Sequence, residues 1–63
     1  MTVKCTFDSE DDVIRNNNML EIENSNMPGM VIVSILNKNG GRETESVVDG
    51  MKLIKAIQNA MNS

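Results

Sequence analysis

The stretch from Met30 to Leu36 constrains the fold of this chain more than any other, because it is apolar on both faces of a strand. It reads Met-Val-Ile-Val-Ser-Ile-Leu, and Ser34 is its one polar residue. Side chains of a strand alternate between the two faces of a sheet, and continuous apolar runs are typical of strands covered on both sides. The sequence therefore predicts a central strand here.

Three further stretches alternate between apolar and polar residues with the period of two that half-buried strands show. Residues 2–7 direct Val3, Cys5 and Phe7 to one face, and residues 19–23 direct Leu20 and Ile22 inward. The third stretch, residues 42–48, places Thr44, Ser46 and Val48 on one face and Glu43, Glu45 and Val47 on the other. These stretches predict strands on either side of the central one.

Turn residues separate the predicted strands. Pro28-Gly29 is typical of a type II turn, in which glycine takes a positive φ. Residues 37–41, Asn-Lys-Asn-Gly-Gly, have the length and the glycines of a five-residue hairpin connection. Both turns favour antiparallel pairing of consecutive strands.

The C-terminal part of the chain is an amphipathic helix by its spacing. Asp49 is a favourable N-cap for a helix from Gly50 to about Met61. Its apolar residues follow the i, i+3, i+4, i+7 rule and form one stripe: Leu53, Ile54, Ile57, Ala60 and Met61. We therefore expect one α+β domain over residues 1–63, with an antiparallel sheet of about four strands and a C-terminal helix packed on one face (ββββα).

The second face of such a sheet has no helix to cover it. Met30, Ile32 and Leu36 lie there, and we group Val48 with them as a candidate oligomer interface. Large exposed apolar patches usually mark interaction sites. The alternative is that residues 8–18 fold over this face and bury it with Val13 and Ile14.

The supports that small domains commonly use are restricted here. A chain of 63 residues buries only about 60% of its unfolded surface, and disulfides, metals or association usually compensate. Cys5 is the only cysteine and there is no histidine, so we expect no disulfide within the chain, no zinc site, no other metal or cofactor, and no catalysis. Association is the support that the sequence leaves open.

Negative charge is concentrated near the N-terminus. Residues 1–27 carry six acids against two bases, whereas residues 28–63 carry three acids against four bases. The acidic segment is Asp8, Glu10, Asp11 and Asp12. It lacks the glycine and the glutamate that a calcium loop requires, which leaves a solvated turn or a docking patch for a basic protein. Nucleic-acid binding is disfavoured, because there is no basic cluster and Phe7 is the only aromatic residue.

A modest basic edge offers a second class of function. Arg42, Lys52 and Lys55 could form an anion-binding groove in an oligomer, as a small-ligand or nucleotide site at the subunit boundary. The alternative is a solvated helix face.

The location predicted for the chain is the cytoplasm of a bacterial or host cell. We expect no signal peptide, because no long apolar run follows Met1. The longest apolar run, from Met30 to Val33, is far shorter than a membrane span of about 20 residues. A lone cysteine also suits a reducing compartment.

These features predict a non-catalytic, oligomeric interaction protein that binds and occludes a larger protein. In size, acidity and lack of catalytic motifs the whole chain resembles the small inhibitory proteins that bacteriophages make against host enzymes and defence systems. That resemblance is one of profile and rests on no specific residue. The rival function is the small-ligand or nucleotide-binding oligomer.

Overall fold

A computed structural model describes residues 2–8, 18–37 and 39–63, which form a four-stranded sheet followed by one helix. The elements are β1 (Lys4–Asp8), β2 (Met19–Asn24), β3 (Met30–Leu36), β4 (Arg42–Asp49) and α1 (Gly50–Met61). The strands are antiparallel and lie in the order β1-β2-β3-β4. The predicted α+β class and the ββββα order are confirmed.

The register assigns the side chains to two faces, because directly paired residues of neighbouring strands point the same way. Leu20 pairs with both Phe7 and Ile35, and Ile22 pairs with both Cys5 and Val33. These residues, with Val31 and its partner Val48, form what we call the apolar face: Cys5, Phe7, Leu20, Ile22, Val31, Val33, Ile35 and Val48. The opposite side, which carries the charged residues of β1, β2 and β4, is called the ion-pair face.

The turn between β2 and β3 is the type II turn that the sequence predicts. The Met30 amide donates to the Met27 carbonyl at 3.1 Å, which closes the turn around Pro28 and Gly29. Gly29 has a φ of 79°, and this left-handed conformation strains any residue with a Cβ.

The connection between β3 and β4 is held by Asn37. Its amide donates to the Gly41 carbonyl at 2.8 Å, and its side-chain oxygen accepts from the amides of Asn39 and Gly41, each at 2.9 Å. Gly40 has a φ of 84°. This is the hairpin chemistry expected of asparagine and glycine in a turn.

A β-bulge at the start of β4 redirects one side chain. Ile35 pairs with Thr44, whereas the next residue, Leu36, pairs with Arg42, so that Glu43 is the extra residue of the bulge. Bulges bend the strand and change the direction of neighbouring side chains. Here the bulge places Arg42 opposite Leu36, on the ion-pair face.

The helix begins at the residue that follows β4, with no loop between them. Asp49 caps it by accepting from the Lys52 amide at 3.0 Å. The Gly50 amide donates to the Gly29 carbonyl at 2.8 Å, which ties the first turn of α1 to the β2–β3 turn. The sheet element that α1 mainly contacts is β4.

The position of the helix differs from the expectation that it packs on one face of the sheet. None of its residues is buried, and Ile54 and Ile57 of the predicted stripe are 49% and 46% exposed. Connections in which a helix folds back on a neighbouring strand usually contain about 2–6 residues. Because β4 runs directly into α1 and Gly50 is bonded to Gly29, the helix leaves the apolar face uncovered.

Candidate interaction surfaces

The apolar face of the sheet stays accessible over most of its residues in the described part of the chain. Phe7 and Cys5 on the edge strand β1 are exposed. The apolar residues of β2 and β3 on this face are only partly buried by their neighbours within the sheet: Leu20, Ile22, Val31, Val33 and Ile35. This is the face that was expected to hold the core, and among the described residues none of its apolar side chains is buried.

The apolar stripe of α1 is the second uncovered surface. Ile54, Ile57 and Met61 are all exposed, and Leu53 next to the sheet is partly buried. We call Leu53, Ile54, Ile57, Ala60 and Met61 the helix stripe. A surface helix normally places such a stripe against a core, whereas most of this stripe faces solvent in the described part of the chain.

Burial is instead greatest on the ion-pair face. Glu21, Ser34 and Leu36 retain 5%, 1% and 8% of their accessible surface, and all three point to this side. A buried carboxylate without charged or hydrogen-bonding partners costs several kcal/mol. Glu21 is therefore expected to have charged partners.

Two cations hold the Glu21 carboxylate. Nη2 of Arg42 lies 3.1 Å from one oxygen, and Nζ of Lys4 lies 3.9 Å from the other. Lys4 also approaches Glu23 at 4.0 Å, and Arg42 donates to Glu45 through Nη1. The network crosses the sheet from β1 to β4 and contains three carboxylates and two cations.

Arg42 is the centre of this network. The hydrogen bond to Glu45 is the main cause that raises the pKa of Arg42 above its ordinary value, and the charges of Glu45, Glu21 and Glu23 add to it. Arg42 is therefore a permanent cation that is bonded to two carboxylates, and it has little capacity left for an external anion.

Ser34 lies between the two carboxylates that Arg42 joins. It pairs with Glu21 on β2 and with Glu45 on β4, so the arginine side chain passes over it. Its hydroxyl is buried and has no hydrogen-bond partner within the described part of the chain. A small residue at this position leaves room for the ion pair above it.

The predicted oligomer interface is divided between the two faces. Met30, Ile32 and Leu36 lie on the ion-pair face, where Leu36 is buried and the other two are partly buried. Val48 lies on the apolar face, because it pairs with Val31. Grouping Val48 with Ile32 was wrong. The residue of β4 that accompanies Ile32 is Val47, which the sequence interpretation did not include.

The acidic segment falls mostly beyond the described residues. Asp8 ends β1, pairs with Met19 and is exposed. Glu10, Asp11 and Asp12 lie outside the described residues, and so do Val13 and Ile14, which carried the alternative of a cover for the second face. The acidic docking patch and the cover of the second face by Val13 and Ile14 therefore stay predictions.

The three basic residues of the rival function do not converge within one chain. Arg42 begins β4, whereas Lys52 and Lys55 lie on α1 beyond the other end of that strand. At about 3.3 Å per residue the strand alone separates them by roughly 23 Å. Lys52 and Lys55 are exposed, while Arg42 is held by Glu21 and Glu45.

The described residues contain no group of three or more Cys, Asp or Glu side chains that could hold a metal ion. No described helix has the length and apolarity needed to cross a membrane.

Comparison of the chain with protein-family models, with curated proteins and with solved structures found no match. Its function must therefore be inferred from the two uncovered apolar surfaces and from the distribution of its charge.

Proposed function

We propose that this protein is a non-catalytic interaction protein that works as an oligomer and acts by binding and occluding a larger protein. The observation that carries the proposal is the uncovered apolar face, together with the uncovered helix stripe. Contiguous apolar surfaces on small proteins usually mark sites of association.

The free energy of burial supports this function. Leaving a large aliphatic side chain exposed forfeits about 1.5–3 kcal/mol relative to full burial. A core of this size supplies only about 3–5 kcal/mol of net stability. Six partly covered side chains on the apolar face and three large exposed ones in the helix stripe therefore favour a chain that functions with its apolar surfaces covered by another polypeptide.

The charge of the chain supports a basic surface on the larger protein. Asp8 is exposed at the end of β1, and Glu10, Asp11 and Asp12 follow it in sequence. Complementary charge accelerates encounter and selects the partner. We assign association between copies to the apolar surfaces and capture of the larger protein to the acidic segment.

The buried carboxylate supports binding over catalysis. A general base needs a carboxylate that is free to take a proton from a substrate. Glu21 is instead held by Arg42 and Lys4, so its carboxylate oxygens already have partners within the sheet.

The test compares an affinity-tagged wild type with a variant that combines Asp8→Lys, Asp11→Lys and Asp12→Lys. Glu43→Lys, a charge reversal at an exposed residue of the bulge, is the control. We expect the wild type and the control to retain a stoichiometric protein from a lysate of the cells in which the chain occurs, and the triple variant to lose it while it keeps the same oligomeric mass. Equal retention by all three proteins, or the absence of any stoichiometric partner, would contradict the proposal.

A further inference from the structure

We propose that the apolar face of each chain is covered by α1 of a second copy of the same chain, in a reciprocal, twofold-symmetric dimer. This inference rests on the proposed function, because it names the occupant of the same uncovered surfaces. Within the described residues, each chain has one apolar sheet face without a helix on it and one apolar helix stripe without a sheet under it. A twofold exchange covers both with a single type of contact, as isologous dimers do.

The junction between β4 and α1 is the reason that a chain does not cover its own sheet. Asp49 is the last residue of the strand and the N-cap of the helix. The Gly50 amide is bonded to the Gly29 carbonyl at 2.8 Å, and a Cβ at position 50 would lie 3.2 Å from the same oxygen. The helix therefore begins in a fixed direction, and exchange of an element between copies is a common outcome when a hinge is this short.

The accessible surface of the chain exceeds that of a compact monomer by about the area that one partner contributes to a dimer interface. A compact monomer of 7.0 kDa exposes about 4,000 Å², whereas this chain exposes 5184 Å². The excess of about 1,100 Å² is close to what one partner contributes to a stable interface, about 800 Å². The radius of gyration is 12.8 Å, against about 11 Å for a compact chain of this length.

The dimensions of the two surfaces also match. The 12 residues of α1 extend over about 18 Å. Four strands spaced by about 4.8 Å give a sheet about 14 Å across. One helix can therefore cross all four strands and place its stripe on Leu20, Ile22, Val33 and Ile35.

The first experiment measures mass in solution by light scattering behind size exclusion. We expect the wild type to have twice the mass of one chain. Ile57→Glu changes the helix stripe, and we expect it to weaken the dimer by at least about a hundredfold, because twofold symmetry loses the contact twice. Asn59→Glu changes the opposite side of the helix and is expected to leave the dimer intact. A monomeric wild type, or a dimer that Ile57→Glu does not weaken, would overturn the inference.

The second experiment locates the contact even if Ile57→Glu prevents folding. In a Cys5→Ser background, one sample carries Ile22→Cys and another carries Ile57→Cys. After mixing and mild oxidation we expect a disulfide between the two different chains, and much less of it when Asn59→Cys replaces Ile57→Cys. A doubly substituted chain that forms the disulfide within itself, with no product between mixed chains, would show that α1 covers its own sheet.

The two proposals fail in different ways. If the wild type is monomeric but binds the apolar dye 8-anilinonaphthalene-1-sulfonate, its apolar face is accessible and binds a protein other than a second copy of the chain. In that case the exchange and the oligomeric part of the proposed function are overturned, and the binding of a larger protein stands. If the monomer does not bind the dye, its apolar surfaces are covered within one chain and both proposals are overturned.

Discussion

Arg42 on β4 reaches across β3 to place Nη2 3.1 Å from the carboxylate of Glu21 on β2. The bulge at Glu43 makes this possible, because it sets Arg42 opposite Leu36 on the ion-pair face. Glu21 is buried, whereas the Arg42 side chain remains 41% exposed. The pair is therefore asymmetric: without its partner, the acid is left as a buried charge, while the base can still be hydrated.

This asymmetry predicts unequal effects of removing the two partners. We expect Arg42→Met to lower the midpoint of urea unfolding, because it leaves the buried Glu21 carboxylate with only the longer contact to Lys4. Glu21→Leu is expected to be neutral or stabilising by about 1 kcal/mol, as replacing a buried charge by an apolar residue often is. Glu43→Gln at the exposed bulge is the control. Equal losses from both substitutions would contradict the asymmetry.

Ser34→Ala is predicted to stabilise the chain. The hydroxyl is buried and lacks a hydrogen-bond partner among the described residues, and leaving a polar group in that state costs about 1–3 kcal/mol. Alanine removes the hydroxyl and keeps the room that Arg42 uses. We expect the free energy of unfolding to rise by about 1 kcal/mol in urea titrations. Ser34→Val, which has the larger volume, is expected to lower it, and a loss on Ser34→Ala would show that the hydroxyl has a partner.

Gly29→Ala tests the β2–β3 turn, whose Gly29 carbonyl accepts a hydrogen bond from the first residue of α1. A Cβ at Gly29 would meet no atom within 4 Å, so the cost comes from its φ of 79° alone. We expect a loss of about 1 kcal/mol. Gly29→Asn is the matched variant, because asparagine tolerates the left-handed region and is expected to lose less. Equal stability of the alanine variant and the wild type in thermal unfolding would contradict the assigned conformation.

The strands and the helix could be predicted from the sequence because each follows a short-range rule. Alternation marks β1 and β2, the apolar run marks β3, and the N-cap at Asp49 marks the start of α1. Each of these signals is contained within about ten residues and needs no knowledge of what lies across the sheet.

The side on which a residue lies depends on pairing between strands, and the sequence constrains it less. Val48 was grouped with Ile32, although the register pairs it with Val31. A shift of one residue moves every side chain of a strand to the other face, and the bulge at Glu43 introduces such a shift within β4. The burial of Glu21 also depends on this bulge, because the bulge sets Arg42 on the ion-pair face, where its side chain crosses Ser34 to reach Glu21.

The position of the helix could have been predicted from a signal that the sequence contains. A strand ending at residue 49 and a helix capped by the same residue leave no residues for a connection that folds back. The periodicity of Leu53, Ile54 and Ile57 indicates one apolar side of the helix. It carries no information about which sheet that side contacts.

The length of this junction gives the last prediction. Inserting a flexible segment of about four residues between Val48 and Asp49 keeps Asp49 as the N-cap and supplies the connection that helices normally use to fold back on a sheet. We expect the inserted variant to become a monomer whose own helix covers Ile22 and Val33, with a radius of gyration near 11 Å by X-ray scattering. The same insert between Asn39 and Gly40, in the β3–β4 turn, is the control and should leave the dimer unchanged. If the variant with the longer junction remains a dimer as stable as the wild type, the junction does not determine which sheet the helix covers. If it becomes a compact monomer, one missing loop explains both the exposed helix stripe and the open apolar face.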